Sequence, residues 1–286
     1  MLKLQTRVEC GSAPFRMSYS DGIVLLGSCF ADEIGARMSD AGFDVCANPF
    51  GTLYNPVSIS EAVSRLESGE PFVQDDCVEM GAGAGLVCSF RHHTSFARRT
   101  QEEFLAHANA SLAEAHERWS KAGLVILTLG TAWCFRHRES GKVVANCLKR
   151  PDREFSRERL SFQDTVSILS GIVSRFPDKR FIFTVSPIRH MADGAHGNQL
   201  SKGTLLLATD SVTDGERVVY FPAYEILMDE LRDYRFYTED MVHPSAQAVD
   251  YIWERFCDFV LADGERQTLL DNIKACRRSR HRPMER

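Results

Sequence analysis

No stretch of the chain reaches the ~18 consecutive apolar residues that a membrane-spanning helix needs, which excludes that kind of membrane protein. The opening residues, Met1-Leu2-Lys3-Leu4-Gln5-Thr6-Arg7, hold no apolar core of signal-peptide length. Nine cysteines are scattered at positions 10, 29, 46, 77, 88, 134, 147, 257 and 276, with no Cys-x-x-Cys pair and no Cys/His spacing of a zinc site. Their odd number, several in apolar runs, predicts reduced, buried thiols in a reducing compartment. Positive charge is not in excess either. With 34 basic and 39 acidic side chains the net charge is −5, and nothing in that balance favours nucleic acid as a partner. The one basic run, Lys274 to Arg286, reads as a solvated terminal tail. Internal repeats and low-complexity linkers are absent too. These absences together predict a soluble, cytoplasmic protein with no membrane partner, built as one domain over residues 1–262 and followed by a basic tail, 263–286.

What is present is an alternation of apolar strands and helix-period segments. An apolar content of 44% is ample for one large core. Gly22-Ile23-Val24-Leu25-Leu26 and Leu124 to Leu129 are continuous apolar runs of the kind found in parallel sheets, and Phe181 to Val185 and Arg217 to Phe221 follow suit. Helical periodicity marks 32–40, 58–66, 100–120, 161–176, 198–211 and the segment from Ser245, where Ala248, Ile252, Phe256 and Phe259 share one face. The pattern predicts an α/β protein with a mostly parallel central sheet covered by helices. Two stretches break the rhythm as hairpin insertions. One is about 70–96, with the flexible run Gly81-Ala82-Gly83-Ala84-Gly85, a candidate lid. The other carries two strands, 133–136 and 142–145, around a turn at Glu139-Ser140-Gly141.

Active sites of open parallel sheets lie at the carboxyl ends of the strands. Ser28 follows the first strand and precedes a helix. As a nucleophile it would sit at free helix N–H groups that favour an oxyanion; as a structural residue it would only cap that helix. Cys29 is the rival nucleophile, with the expectation that the residue after such a turn points into the core. Late in the chain, Asp240-Met241-Val242-His243-Pro244 supplies a base and its orienting carboxylate, which tips the reading of Ser28 toward catalysis. Gly51 and Gly130 offer backbone N–H groups, and Asn146 a side-chain amide, for an oxyanion hole. Arg91, His93, Trp133, Arg189, His190 and His196 are candidates for substrate binding at the rim; an arginine pair, Arg91 and Arg189, would suit an anionic group. The rival chemistry is a metal site drawn from His92, His93, His190, His196 and Asp193, but these match no metal-ligand spacing.

Gly27-Ser28-Cys29-Phe30-Ala31 resembles the signature that names the GSCFA family, a bacterial group, and the likeness extends over roughly residues 5 to 262. Asn48-Pro49-Phe50-Gly51-Thr52, Leu129-Gly130-Thr131-Ala132-Trp133, Ser186-Pro187-Ile188-Arg189-His190, the run 194–202 (GAHGNQLSK) and Asp240-Met241-Val242-His243-Pro244-Ser245 carry it further. GSCFA proteins in turn look like relatives of the SGNH (GDSL-type) hydrolases. That resemblance implies a three-layer α/β/α sandwich and a triad of Ser28, His243 and Asp240. It implies an oxyanion hole from the N–H groups of Ser28 and Gly51. Its third block departs here: Gly130-Thr131-Ala132-Trp133 stands where Gly-x-Asn-Asp is expected, leaving Thr131 or Asn146 to complete the hole. The expectation is an esterase acting on acyl esters, O-acyl groups of carbohydrates among them, with no metal or organic cofactor. The alternatives are an acyltransferase using the same residues, or a non-catalytic protein that binds a glycan or small ligand.

Overall fold

The computed structural model describes residues 5–280; residues 1–4 and 281–286 lie outside the described part. In chain order the elements begin with β1 (Gly22–Gly27), α1 (Cys29–Asp40), β2 (Asp44–Ala47) and α2 (Pro56–Ser68). Next come two short strands, β3 (Val78–Glu79) and β4 (Val87–Cys88), then α3 (Gln101–Lys121) and β5 (Leu124–Leu129). A second insertion holds β6 (Trp133–His137), β7 (Val143–Val144) and β8 (Phe155–Arg159). The chain closes with α4 (Phe162–Arg175), β9 (Arg180–Val185), α5 (Gly194–Val212), β10 (Val218–Tyr220), the single turn α6 (Ala223–Glu225), α7 (Ala246–Val260) and α8 (Arg266–Arg280).

Five strands form one wholly parallel sheet in the order β10-β9-β5-β1-β2. Strand alternation divides its side chains between two faces. Val24 and Leu26, Val125 and Leu127, and Phe181 and Phe183 pack against α2, α3, α4 and α5. Ile23, Leu25, Ile126 and Ile182 pack against α1 and α7, where Ala248, Ile252, Phe256 and Phe259 line up as their spacing predicts. The result is a three-layer α/β/α sandwich. Chain direction across the sheet reverses between β1 and β5, the switch point where ligands bind in folds of this strand order.

The insertions differ from expectation in detail. The 70–96 segment contributes only the two-residue antiparallel pair β3–β4, and Gly81 packs against the Lys149 carbonyl. The second insertion has three strands, in the order β7-β6-β8. Its third strand, Phe-Ser-Arg-Glu-Arg, was hidden by its polarity; it is an edge strand, and an Arg136–Glu158 ion pair ties it to β6. The basic run expected as a solvated tail is helical as far as residue 280: α8 buries Leu269 and its Asn272 donates to the Ala41 carbonyl (2.8 Å). All nine cysteines are free thiols, but only Cys88, Cys134 and Cys257 are buried, fewer than expected. Among the described residues no helix is long and apolar enough to cross a membrane.

Candidate active site

A cleft of about 680 Å³ opens over the carboxyl ends of β1, β5 and β9. Cys29, Thr131, Arg189, His190 and His243 come to it from the parallel sheet's end loops, and Trp133, Phe135, Phe155 and Arg157 from the antiparallel insertion.

The β1–α1 turn is locked from three sides. Gly27 has φ +143°, and a Cβ there would lie 2.1 Å from the Thr128 carbonyl oxygen, so only glycine fits. Its N–H donates to Asn48 Oδ1 (2.8 Å), and Asn48 Nδ2 donates to Asp32 (2.6 Å). The Ser28 N–H donates to the Thr128 carbonyl (3.1 Å), and the Ser28 hydroxyl accepts from the Phe30 N–H (3.3 Å). Ser28 is thereby 0% exposed and does the work of a helix cap. The two expectations for this turn therefore exchange places. An N-cap folds its side chain back over the first turn, so the next residue, at the first helical position, projects sideways out of the sheet end. That residue is Cys29. Its Sγ lies 3.6 Å from His243 Nε2 and lines the cleft.

His243 is held from behind. Its Nδ1 and Asp240 Oδ2 are 2.6 Å apart. Asp240 Oδ1 accepts from the N–H groups of Val242 (2.8 Å) and His243 (2.9 Å) and from the Thr238 hydroxyl (2.7 Å). The His243 N–H, the Thr238 hydroxyl, the Val242 N–H and the imidazole itself, in that order, hold this carboxyl far below the usual carboxylate range. Cys29, His243 and Asp240 thus form a continuous chain of contacts. Burial is the largest influence on the Cys29 thiol and pushes it up to about 11, against the opposing pull of the Cys29 and Phe30 N–H groups. The thiol is protonated at neutral pH, so any attack by sulfur needs the imidazole to take its proton.

The expected oxyanion donors are mostly committed elsewhere. The Ser28 N–H is bonded as described. The Gly51 N–H donates to the Asn48 carbonyl (2.8 Å), and the glycine is required because a Cβ would lie 2.4 Å from His93 Cβ. Gly130 and Thr131 both give their N–H groups to the Tyr54 carbonyl (2.9 and 2.8 Å). The Thr131 hydroxyl lies 2.9 Å from the Ser201 hydroxyl and accepts from the Trp133 N–H (3.0 Å). Asn146 lines the cleft with Oδ1 bound to the Leu148 N–H (2.8 Å). Asn55, missed in the sequence, also lines the cleft. Its Oδ1 caps α2 through the Ser58 N–H (2.9 Å), which fixes the amide and leaves Nδ2 as the free end. With the Cys29 N–H at the start of α1, it is a donor the geometry leaves open.

The rim candidates divide. Trp133, Arg189 and His190 line the cleft, whereas Arg91, His93 and His196 do not. Arg91 faces Glu61 and Asp76 (3.9 and 4.0 Å), His93 caps the turn at Ser95, and His196 is exposed on α5. The 70–96 insertion, read as a lid, supplies no lining residue; the 133–159 insertion does. There Phe135 lies opposite Arg157 and His137 opposite Phe155, so the alternation of β6 and β8 turns Trp133, Phe135, Phe155 and Arg157 toward the same opening. Beneath the site, the fully buried Lys202 donates to the carbonyls of Gly130 and Ser186 (both 2.7 Å), joining the ends of β5 and β9. Burial lowers its ammonium to about 7. Among the described residues no group of three or more His, Cys, Asp or Glu side chains is arranged to hold a metal ion.

The chain belongs to the GSCFA family, whose model matches residues 22–256. Comparison with curated proteins and with solved structures finds no match.

Proposed function

We propose that the protein is a cysteine-dependent acyl hydrolase, with Cys29 as nucleophile, His243 as general base and acid, and Asp240 as the residue that orients His243. The carrying observation is the chain Cys29 Sγ to His243 Nε2 (3.6 Å) and His243 Nδ1 to Asp240 (2.6 Å), opening into a cleft at the switch point of the sheet. This reading moves the nucleophile expected at Ser28 to the thiol one residue later, because Ser28 is buried as a helix cap and Cys29 lines the cleft. The likeness to SGNH hydrolases supports the same assignment once shifted by one position: in Gly-Asp-Ser the nucleophile is the third residue, and here the third residue of Gly27-Ser28-Cys29 is the cysteine.

An acyl ester enters with its carbonyl carbon over Sγ. Sulfur attacks as its proton passes to His243 Nε2, and the Asp240 carboxylate stabilises the imidazolium. The tetrahedral oxyanion accepts from the Cys29 N–H and Asn55 Nδ2, with the α1 dipole behind it. Collapse expels the alcohol, which leaves with the proton from Nε2, and an acyl-cysteine thioester remains. Water then gives a proton to His243 and attacks the thioester; the acid departs and Cys29 recovers its proton. The substrate class is a small acyl ester, O-acyl groups of carbohydrates included. The aromatic wall of Trp133, Phe135 and Phe155 supports an acyltransferase as second reading, because an apolar opening limits water and an acceptor alcohol or amine resolves the same thioester.

Trapping of the acyl-enzyme tests this. After incubation with an activated ester, peptide mass spectrometry should find one acyl group on Cys29, released by hydroxylamine, lost in Cys29→Ala and retained in Ser28→Ala. An acyl group on Ser28, or turnover untouched by Cys29→Ala, would sink the proposal.

A further inference from the structure

The cleft holds two arginines in opposite circumstances. Arg157 is neutralised by an ion pair with Asp193, and its guanidinium lies over the rings of Phe135 (4.7 Å) and Trp133 (5.5 Å). Arg189 has no carboxylate within 4 Å and no side-chain hydrogen bond among the described residues, and its Nε is buried without an acceptor. A buried guanidinium N–H left without an acceptor is costly, and native proteins rarely keep one without a use. The next residue repeats the situation. His190 Nε2 is also buried and unpartnered; burial first, then the nearby charges of Lys202, His243 and Arg157, push this imidazole down to about 3, so it is neutral. Both residues are fixed by their backbones: the Arg189 N–H donates to the Val242 carbonyl (3.2 Å), next to His243, and the His190 N–H donates to Asn198 Oδ1 (2.9 Å). Among the described residues the one carboxylate lining the cleft, Asp152, is exposed on the short turn before β8, in the antiparallel insertion.

We infer that Arg189, assisted by His190, binds an oxyanion group of the substrate, a carboxylate or a phosphate, so that the cleft takes acyl compounds carrying a negative charge a short reach from the carbonyl attacked by Cys29. Arginine offers planar, forked donors that match both anions, and a neutral imidazole adds one N–H without a competing charge. The aromatic wall receives the remaining, apolar part of the substrate. This inference deepens the proposed function and rests on its placement of the reacting carbonyl at Cys29.

Two alkylating probes of nearly equal size differ in the feature that matters. Iodoacetate is an anion and iodoacetamide is neutral, and site-resolved mass spectrometry reads the rate of each at Cys29. The ratio of iodoacetate to iodoacetamide rates should fall about tenfold in Arg189→Gln and stay near the native value in Arg189→Lys, as loss of one partly buried positive charge requires. A ratio unchanged in Arg189→Gln overturns the inference while leaving a reactive Cys29 standing. Thermal denaturation with succinate, inorganic phosphate or the neutral succinamide tests the anion site without relying on the thiol. Succinate or phosphate should raise the midpoint of the native protein, succinamide should not, and Arg189→Gln should lose the response; whichever anion acts at lower concentration identifies carboxylate or phosphate as the group. Equal effects of succinate and succinamide, or a full response in Arg189→Gln, refute the anion site even if Cys29 proves unreactive.

Discussion

The parallel sheet and the small antiparallel sheet β7-β6-β8 face each other across one cleft, yet they are built on opposite principles. At the ends of the parallel strands almost every polar group is bonded to the scaffold: Ser28 caps α1, Asn48 bolts down Gly27, Thr131 meets Ser201, and Lys202 ties two carbonyls. What such a surface leaves free is therefore informative: the thiol and N–H of Cys29, the imidazole edges of His243 and His190, the amide end of Asn55 and the Arg189 guanidinium. The antiparallel sheet instead offers broad side chains, Trp133, Phe135 and Phe155, with a cation already neutralised by Asp193. The contrast separates reacting atoms held rigidly from a wall that shapes the opening, and it teaches that the two can be altered independently.

The sharpest break is at the β1–α1 turn. Cys29→Ala should remove acylation, a fall of about a thousandfold or more in kcat/KM. Ser28→Ala should keep most activity and lower stability by ~1 kcal/mol through the lost cap, read by chemical denaturation. A reversal of those two results would return the nucleophile to Ser28. Next in size, Asp240→Asn should lower kcat by roughly a hundredfold or more with KM little changed, because the imidazole loses its orienting acceptor. Steady-state kinetics on one activated ester checks it. On the opposite wall, Trp133→Ala should raise KM about tenfold and leave kcat nearly intact, since uniform binding and not transition-state stabilisation is removed. A fall in kcat without a change in KM would show that the wall takes part in the chemistry.

A separate effect, on stability and not on chemistry, concerns the fold beneath both surfaces. His92, packed among Phe50, Phe72, Phe96 and Phe104, is pushed down to about 3, chiefly by burial, as is His190. The unfolded chain binds those protons at an ordinary histidine pKa near 6.5. Between about 6.5 and 3 the unfolded state holds more protons than the folded one, so stability present above 6.5 is lost as pH falls through that window. At pH 5 the loss should be up to about 2 kcal/mol for each histidine. His92→Phe should flatten the pH dependence of urea unfolding without altering Cys29 reactivity; an unchanged slope would mean that His92 titrates normally in the folded protein.

Much of this architecture was legible in the sequence because parallel strands buried on both faces must be apolar throughout. β1, β5, β9 and β10 announce themselves that way, and α7 by its 3.6-residue stripe. Asp240 and His243 were legible as a pair because they lie three residues apart in one loop, where the carboxylate meets the imidazole. Cys29 was obscured because neighbouring residues share a turn, and which of them faces the cleft depends on where the helix begins. Asn55 was hidden for a related reason, since an Asn before Pro56 looks like a cap and nothing more. β8 escaped because an edge strand with Arg157 and Arg159 on alternate positions has no apolar period. Gly51 and Thr131 misled in the other direction: their types fit an oxyanion hole, but their N–H groups are spent inside the scaffold, a fact only the fold reveals.

The contact between Cys29 and His243 spans 214 residues of chain. At a synthesis rate of about 5–20 residues per second, the thiol is made roughly 10–40 s before the imidazole it meets. Through that interval all five strands of the parallel sheet are made, yet the cysteine has no imidazole beside it. Under the proposed mechanism the thiol becomes reactive only when the His243 loop docks, so a nascent or prematurely terminated chain would leave esters untouched.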